Sequence, residues 1–576
     1  MCPLSSLAFA PPDRARRSGS MLRIIVALLL SPAWTSGANL PNAQSPMGIN
    51  LEAVTYYSTE FPFINDFLNA SQWITHSDTF FDTKEEQYAN LDANGWPITL
   101  TSINEGSRQQ YNSLGVLLFL GGFDTSNGFY PGGRYIVLYD GRGTLTYAVD
   151  ATLVRRSPGR DVINVSPSKN GIDLRITVTD PKHTGDYVRN IRLVSADNEA
   201  AIKAGHVFNP RFLRLVQYFR VLRFMDWLQT NGSTIRSWSD RPLPTQAFFG
   251  TVKGVPIEIA VQAANAISAD AWLNVPAMAD DRYITQMATL VRGLLGSTQK
   301  VYVEFSNEVW NASFSQYQYA ISQGKALWPT RPGGSGGYEW NRNFYGMRTA
   351  QICDLWKAVW GADKARVICV LGGQAAWSFS ASESLKCPYW AQGSPCSGHG
   401  INAVAIAPYM GGQVPSAWTA HPDGGLADLF LSLYSQNDPS IPKGGFLAQD
   451  AGWESDYARN VVEPYKLPLI AYEGGQTFAN GATPPLDRLY VAANTDPRMG
   501  DAYAKYLEQW KRLGGELFVY YNDVGVGSKY GSWGAIQSLM QTTDPLSSAP
   551  PKWQAIQKFI SSTPCWWPNC VSIAQR

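Results

Sequence analysis

From residue 200 onward, short runs of apolar residues alternate with longer segments in which apolar and polar positions mix. The runs fall at Val221–Met225, Ala271–Val275, Val301–Phe305, Val367–Leu371, Val404–Ala407, Leu467–Ala471 and Leu517–Tyr521. Helix-length segments such as Asp281–Leu295, Phe344–Trp360 and Asp501–Leu513 lie between them. A strand buried on both faces reads as a continuous apolar run, so this rhythm predicts parallel strands joined by helices. Ile49–Val54, inside the stretch MGINLEAV, supplies an earlier strand and brings the number to eight. Eight such units predict an α/β fold of the closed (β/α)8 TIM-barrel type. An open doubly wound sheet is the structural alternative, but no Gly-rich dinucleotide fingerprint follows a strand.

Between Trp96 and Val194 the pattern changes. Short or alternating runs appear at Val116–Leu120, Tyr135–Tyr139, Leu145–Val149, Asp161–Val165, Asp173–Val178 and Val188–Val194, with turn signals such as Asp140-Gly141 and Asn170-Gly171. Closely spaced short strands of this kind predict an all-β, sandwich-like domain, inserted after the first barrel strand. The expected organisation is therefore a barrel over 39–95 and 200–545, a β-domain over 96–199 and a Pro- and Trp-rich tail over 546–576 that wraps the barrel. Ile64–Leu68 reads as helical.

The first 38 residues are set apart from the fold. Met21-Leu22-Arg23 precedes the apolar run Ile24–Leu30, and small residues follow at Ser36, Gly37 and Ala38. That order matches a secretory signal peptide starting at Met1 or Met21, and the run is shorter than the about 20 residues a membrane span needs. Secretion agrees with the cysteines. Setting Cys2 aside leaves Cys353, Cys369, Cys387, Cys396, Cys565 and Cys570, an even set that suggests disulfides. Cys387–Cys396 and Cys565–Cys570 are the obvious local pairs, and Cys353–Cys369 would tie a helix to the next strand. Sequons at Asn69, Asn164, Asn231 and Asn311 are glycosylation candidates where exposed. With charged residues at 16% and a formal net charge of +1, nothing points to nucleic acid or an anionic membrane as partner. The chain holds 20 Trp and 28 Tyr; most are expected in the core, though such amphipathic rings also suit sugars.

Barrel enzymes carry their reacting groups at the C-terminal ends of the strands. Val301–Phe305 is followed by Ser306-Asn307-Glu308-Val309-Trp310, and Leu467–Ala471 by Tyr472-Glu473-Gly474-Gly475. These are strands four and seven, and two carboxylates from them can meet over one cleft. Paired carboxyl groups cleave glycosidic bonds, one as proton donor and one as nucleophile, when about 5–5.5 Å apart. Other chemistries fit less well. Gly333-Gly334-Ser335-Gly336-Gly337 matches a nucleophile-elbow pattern but follows Pro332 in a loop. His76, His183, His206, His399 and His421 include no helical metal pair, so neither metal nor cofactor is expected.

Asn-Glu after strand four with Glu after strand seven resembles the clan A retaining glycoside hydrolases, over roughly residues 46–100 and 200–545. The resemblance implies Glu308 as acid/base, Glu473 as nucleophile and Asn307 as the contact to the sugar 2-hydroxyl. It also implies that Tyr409, in Ala407-Pro408-Tyr409, touches the nucleophile. Arg223, in Leu222-Arg223-Phe224, would lie beneath it, and Trp533 after strand eight would floor the sugar site. Glu304 lies on strand four with its role open. The implied activity is hydrolysis of a β-linked polysaccharide or glycoconjugate, with transglycosylation using the same residues. The alternative is a non-catalytic carbohydrate-binding or cell-wall matrix protein on the same scaffold. In the β-domain, Phe129, Tyr130, Tyr135 and Tyr139 are expected chiefly in the core, with sugar contact as the second reading.

Overall fold

Strand Met47–Asn50 pairs in parallel with Val221–Arg223 on one side and with Phe518–Tyr520 on the other. That double pairing closes a ring whose remaining strands, in order, are Asp270–Val275, Val301–Phe305, Val367–Gly372, Ala403–Ile406 and Leu469–Ala471. All eight strands pair in parallel with their neighbours. The fold is a (β/α)8 barrel, and ring closure rules out the open doubly wound sheet.

The computed structural model describes residues 40–101, 110–121, 130–390, 394–541, 543–568 and 570. The chain divides into Met1–Ala38 and Asn39–Arg576, and all described residues lie in the second unit. The expected signal segment and Phe129 lie outside the described residues. Among the described residues, no helix is long and apolar enough to cross a membrane.

Strand parity explains how the barrel is filled. Side chains alternate in direction along a strand, so Val221, Trp272, Tyr302, Ile470 and Val519 share the interior with Val370, Ala403 and Ala405. Two residues further along the same faces come Arg223, Asn274, Glu304 and Tyr472, all buried. The interior is thus apolar through its depth and turns polar and charged at the C-terminal end. The opposite strand faces pack outward in the large cluster shared with the helices. Local signals set the helix ends: Asp280 caps Asp281–Leu294 by accepting from the Tyr283 amide, and Asp496 caps Pro497–Arg512, which has Pro in its first turn.

Between the first and second barrel strands lie two four-stranded antiparallel sheets. One runs Ile74–His76, Ser113–Leu118, Ile172–Thr179, Gly143–Val149; the other runs Ala151–Ser157, Arg160–Val165, Gly133–Asp140, Arg189–Ser195. The Asp140-Gly141 turn needs its glycine: Gly141 has φ +83°, and a Cβ there would lie 1.9 Å from the Tyr187 carbonyl oxygen. Sequence patterning passes over two of these strands. Ile74–His76 is only three residues long and precedes Trp96, and Ala151–Ser157 is an edge strand whose side chains are mostly exposed. Ile64–Leu68 forms no α-helix; a 3-10 turn at Asp66–Asn69 replaces it.

Tyr130, Tyr135 and Tyr139 are buried, with Tyr130 stacked on Phe119 at 4.4 Å and the Tyr135 hydroxyl donating to the Pro131 carbonyl. They pack the core and offer no face to sugar. Cys387–Cys396 and Cys565–Cys570 are bonded. Cys353 and Cys369 are not: both are buried free thiols, in hydrogen-bond contact with each other. Asn69 is buried, which removes one sequon from the exposed set, whereas Asn164 is exposed. Ser335 sits in a 3-10 turn in an exposed loop and not at a strand end.

Candidate active site

The polar layer at the C-terminal end of the barrel is organised by one guanidinium. Arg223 is fully buried. Its Nη1 donates to Glu473 Oε1 (2.7 Å) and Asn50 Oδ1 (2.9 Å), and its Nη2 donates to Asn307 Oδ1 (2.8 Å) and Glu304 Oε2 (2.9 Å). Strands one, two, four and seven therefore meet on a single side chain. Burial pulls the Arg223 pKa down, but Glu304 and Glu473 outweigh it and hold the group charged. Glu304 pairs with that guanidinium, while burial, opposed chiefly by Arg223, raises its carboxyl above the ordinary range. Its Oε2 also accepts from Trp272 Nε1 and Asn274 Nδ2, both at 2.9 Å. This answers the question its sequence position left open: it shares the inward parity of Tyr302 and lies beneath the site.

Glu473 follows strand seven and is buried; its second oxygen accepts from the Tyr409 hydroxyl at 3.0 Å. Burial and the Glu473 charge keep the Tyr409 phenol protonated, so it remains a donor.

Glu308 has different surroundings. Its oxygens accept from the Tyr472 hydroxyl (2.9 Å) and Asn311 Nδ2 (2.8 Å). Arg223 already serves two carboxylates, and no cation pairs directly with Glu308 among the described residues. Burial first, and then the negative charge of Glu473, push the Glu308 carboxyl up to about 7, against the opposing pull of Asn311, Tyr472 and Arg223. The two residues interact electrostatically from opposite sides of the barrel mouth. The backbone here is unusual: Ser306 and Glu308 have φ of +57° and +43°. A left-handed conformation at non-glycine residues is strained and is concentrated at functional sites. Asn307 lies between them. Its Nδ2 donates to Asn231 Oδ1 (3.1 Å), while Gln316 holds both Asn231 Oδ1 and the Asn307 carbonyl at 2.7 Å.

Arg223, Asn307, Glu308, Tyr409 and Glu473 thus converge. Trp533 meets the Tyr521 ring edge-on at 5.9 Å. Tyr521 is the aromatic residue directly after strand eight, and its amide donates to the Gly474 carbonyl at 3.0 Å. Sequence reading also passed over Tyr472 and Asn311, the two donors to Glu308. A further acidic wall comes from strands one, two and eight. The Tyr521 hydroxyl donates to Asp226 Oδ2 at 3.1 Å and Asn522 donates to Glu52. Burial and Glu473 raise Asp226 to about 7, and burial with Asp226 and Asp523 raises Glu52 well above the ordinary carboxyl range. Among the described residues, no group of three or more His, Cys, Asp or Glu could hold a metal ion.

No protein-family model and no curated protein matches the chain. Solved structures with some likeness include a GH5-4 broad-specificity endoglucanase from Clostridium cellulovorans, at 12% identity over 59% of this chain and 82% of that one, with TM-score 0.32. A Bacteroidetes-affiliated GH5 cellulase shares 10% identity over 64% of this chain and 89% of its own, with TM-score 0.35. A 4-O-α-L-rhamnosyl-β-D-glucuronidase from Fusarium oxysporum shares 14% identity over 59% and 60%, with TM-score 0.33. The barrel itself rests on the strand pairing.

Proposed function

We propose that this protein is a secreted retaining glycoside hydrolase acting on a β-linked polysaccharide or glycoconjugate. The observation that carries the reading is the unequal treatment of two neighbouring carboxyl groups. Glu473 receives hydrogen bonds from Arg223 and Tyr409, while Glu308 has no cation of its own among the described residues, and desolvation with the Glu473 charge raises it to about 7. A carboxyl raised in this way beside a second one suits the role of acid and leaves its partner the role of nucleophile. In the first step a Glu473 oxygen bonds to the anomeric carbon as the glycosidic C–O bond breaks, and the Glu308 proton passes to the leaving oxygen. In the second, Glu308, now a carboxylate, takes a proton from water as that water's oxygen displaces Glu473 from the anomeric carbon. Asn307 presents its amide to the sugar 2-hydroxyl, and the ring rests near Tyr521 and Trp533. The hydroxyl-rich substrate meets a further set of hydrogen-bonding partners in Asp226 and Glu52. The basic-then-apolar leader and the two disulfides support action outside the cell.

The test is turnover and stereochemistry on β-glucans, mannans, galactans and their oligosaccharides. Proton NMR of the first product should show the β-anomer. Glu308→Gln should lower turnover by roughly 10²–10⁴-fold and Glu473→Gln by at least as much, each with an unchanged circular dichroism spectrum. Full activity in either variant, or an inverted product, overturns the reading.

A further inference from the structure

The side of the barrel mouth beyond Glu308 carries a group of exposed rings. Trp377, in the loop after strand five, is 37% exposed, Phe379 is 51% exposed, and Tyr338, which begins the helix Tyr338–Trp360, is 38% exposed. One buried cation organises them. Arg342 is 5% exposed, and its guanidinium lies 4.5 Å from the Trp377 ring centroid, 5.2 Å from Phe379 and 5.4 Å from Tyr338. Glu339 accepts from Arg342 at 3.2 Å, and the Tyr338 and Trp377 rings meet edge-on at 5.7 Å. Cation–π contact holds the rings in fixed orientation while much of their apolar surface stays in water. Large aromatics kept exposed together and immobile mark a binding surface more than a core.

The group is tied to the loop that carries Glu308. Asn341, the residue before Arg342, donates Nδ2 to the carbonyl of Val309 at 2.9 Å, and Val309 follows Glu308. Phe344, two residues after Arg342, packs on Phe305 at the end of strand four. The rings therefore stand on the Glu308 side of the mouth, away from the wall formed by Glu52, Asp226 and Tyr521. In the proposed reaction Glu308 gives its proton to the leaving oxygen, so the leaving part of the glycan departs on this side.

We propose that Trp377, with Phe379 and Tyr338, forms a stacking platform for the leaving-group end of a glycan chain. This rests on the hydrolase reading above. The chemistry selects pyranose rings whose hydroxyls are mainly equatorial, because these present flat C–H faces to an aromatic surface. It also makes the natural substrate an oligosaccharide or polymer and not a glycoside with a small aglycone.

The experiment compares wild type, Trp377→Ala and Trp377→Tyr in the full chain on two probes. One is the β-linked gluco-, manno- or galacto-oligosaccharide that wild type cleaves fastest. The other is the matching β-glycosyl fluoride, whose leaving group is a single atom and cannot reach the platform. Trp377→Ala should lower kcat/KM on the oligosaccharide by about tenfold, mainly through KM, as loss of one stacking contact implies. It should leave the fluoride unchanged, and Trp377→Tyr should recover most of the loss. Phe379→Ala should show the same selectivity in weaker form. Unchanged oligosaccharide kinetics in Trp377→Ala, or equal losses on both probes, overturns the platform while leaving the hydrolase reading intact. A wild-type protein that turns over neither probe class overturns the hydrolase reading and the platform with it.

Discussion

Glu308 owes its character to a shortage of positive charge. Glu304 and Glu473 both contact the buried Arg223 guanidinium. A third carboxylate in the same low-dielectric space has no cation of its own, so its neutral form is favoured. The strained φ at Glu308 belongs to the same arrangement, since it aims the side chain back over the mouth where Tyr472 and Asn311 can reach it. This fixes the direction of two pH effects. A proton donor works only while protonated, so kcat/KM should fall on the alkaline side with a midpoint near the value of about 7 to which burial and Glu473 push Glu308. The Tyr472 hydroxyl stabilises the ionised form, so Tyr472→Phe should move that midpoint upward. The Glu473 charge destabilises it, so Glu473→Gln should lower the Glu308 pKa. The first is read from the pH–rate profile, and the second, where turnover is lost, from carbon-13 NMR of labelled glutamate. A downward move in Tyr472→Phe would contradict the assigned hydrogen bond.

At the scale of elements, what the sequence makes legible depends on how many faces an element buries. Val301–Phe305 and Ala403–Ile406 are buried at every position, and such strands stand out as apolar runs. Because barrel strands carry reacting groups at one end, Glu308 and Glu473 could be chosen by position alone. Ala151–Ser157 buries little and carries Arg155 and Arg156, so its pairing with Arg160–Val165 leaves no hydrophobic trace. Side-chain convergence across strands is equally hidden. Asn311 reaching Glu308, or Tyr521 lying beside Gly474, depends on loop paths that no periodicity encodes. The contact of Cys353 and Cys369 was legible as a helix–strand proximity, but proximity does not determine whether two thiols bond. Helix–helix approach offers an element-scale test. A Cβ on Gly346 of the helix Tyr338–Trp360 would lie 1.9 Å from the Ser384 carbonyl oxygen, in the helix Ser378–Lys386, and 3.2 Å from the Cys387 Cβ. Backbone atoms cannot yield as a flexible side chain would. Gly346→Ala should therefore destabilise the protein by about 1–3 kcal/mol, despite alanine's better helix propensity. Thermal or denaturant unfolding measures this, and a stabilised variant would show that the helices separate freely.

Across the whole molecule, burial has shifted many carboxyl groups in one direction. Asp226, Glu308 and Glu516 are raised to about 7, Asp523 to about 6 and Glu454 to about 8, with burial the first cause in each. Burial also raises Glu52, Glu60, Asp66 and Asp450 well above the ordinary range, and raises Asp270 and Glu304. Between about pH 4 and pH 8 the native state consequently binds more protons than the unfolded chain, and stability must fall as pH rises. Each group's contribution is complete below its unfolded pKa and is lost as pH climbs to its native pKa. Within that window His76 and Lys552 work the other way: burial lowers both, so each favours the native state as pH rises toward its unfolded value. Glu199, lowered to about 2 first by its hydrogen bond to Arg160, gains its stabilisation below this range. The raised carboxyls outweigh His76 and Lys552, which places maximum stability in weak acid. The melting temperature at fixed ionic strength should fall by several degrees from about pH 5 to about pH 8. Glu454→Gln removes one contributor on the helix Phe446–Tyr457, outside the Glu308–Glu473 group, and should flatten that slope without moving the pH–rate profile. A melting temperature that rises across the window would mean these carboxyls are solvated in the native protein, and the burial that raises Glu308 would lose its support.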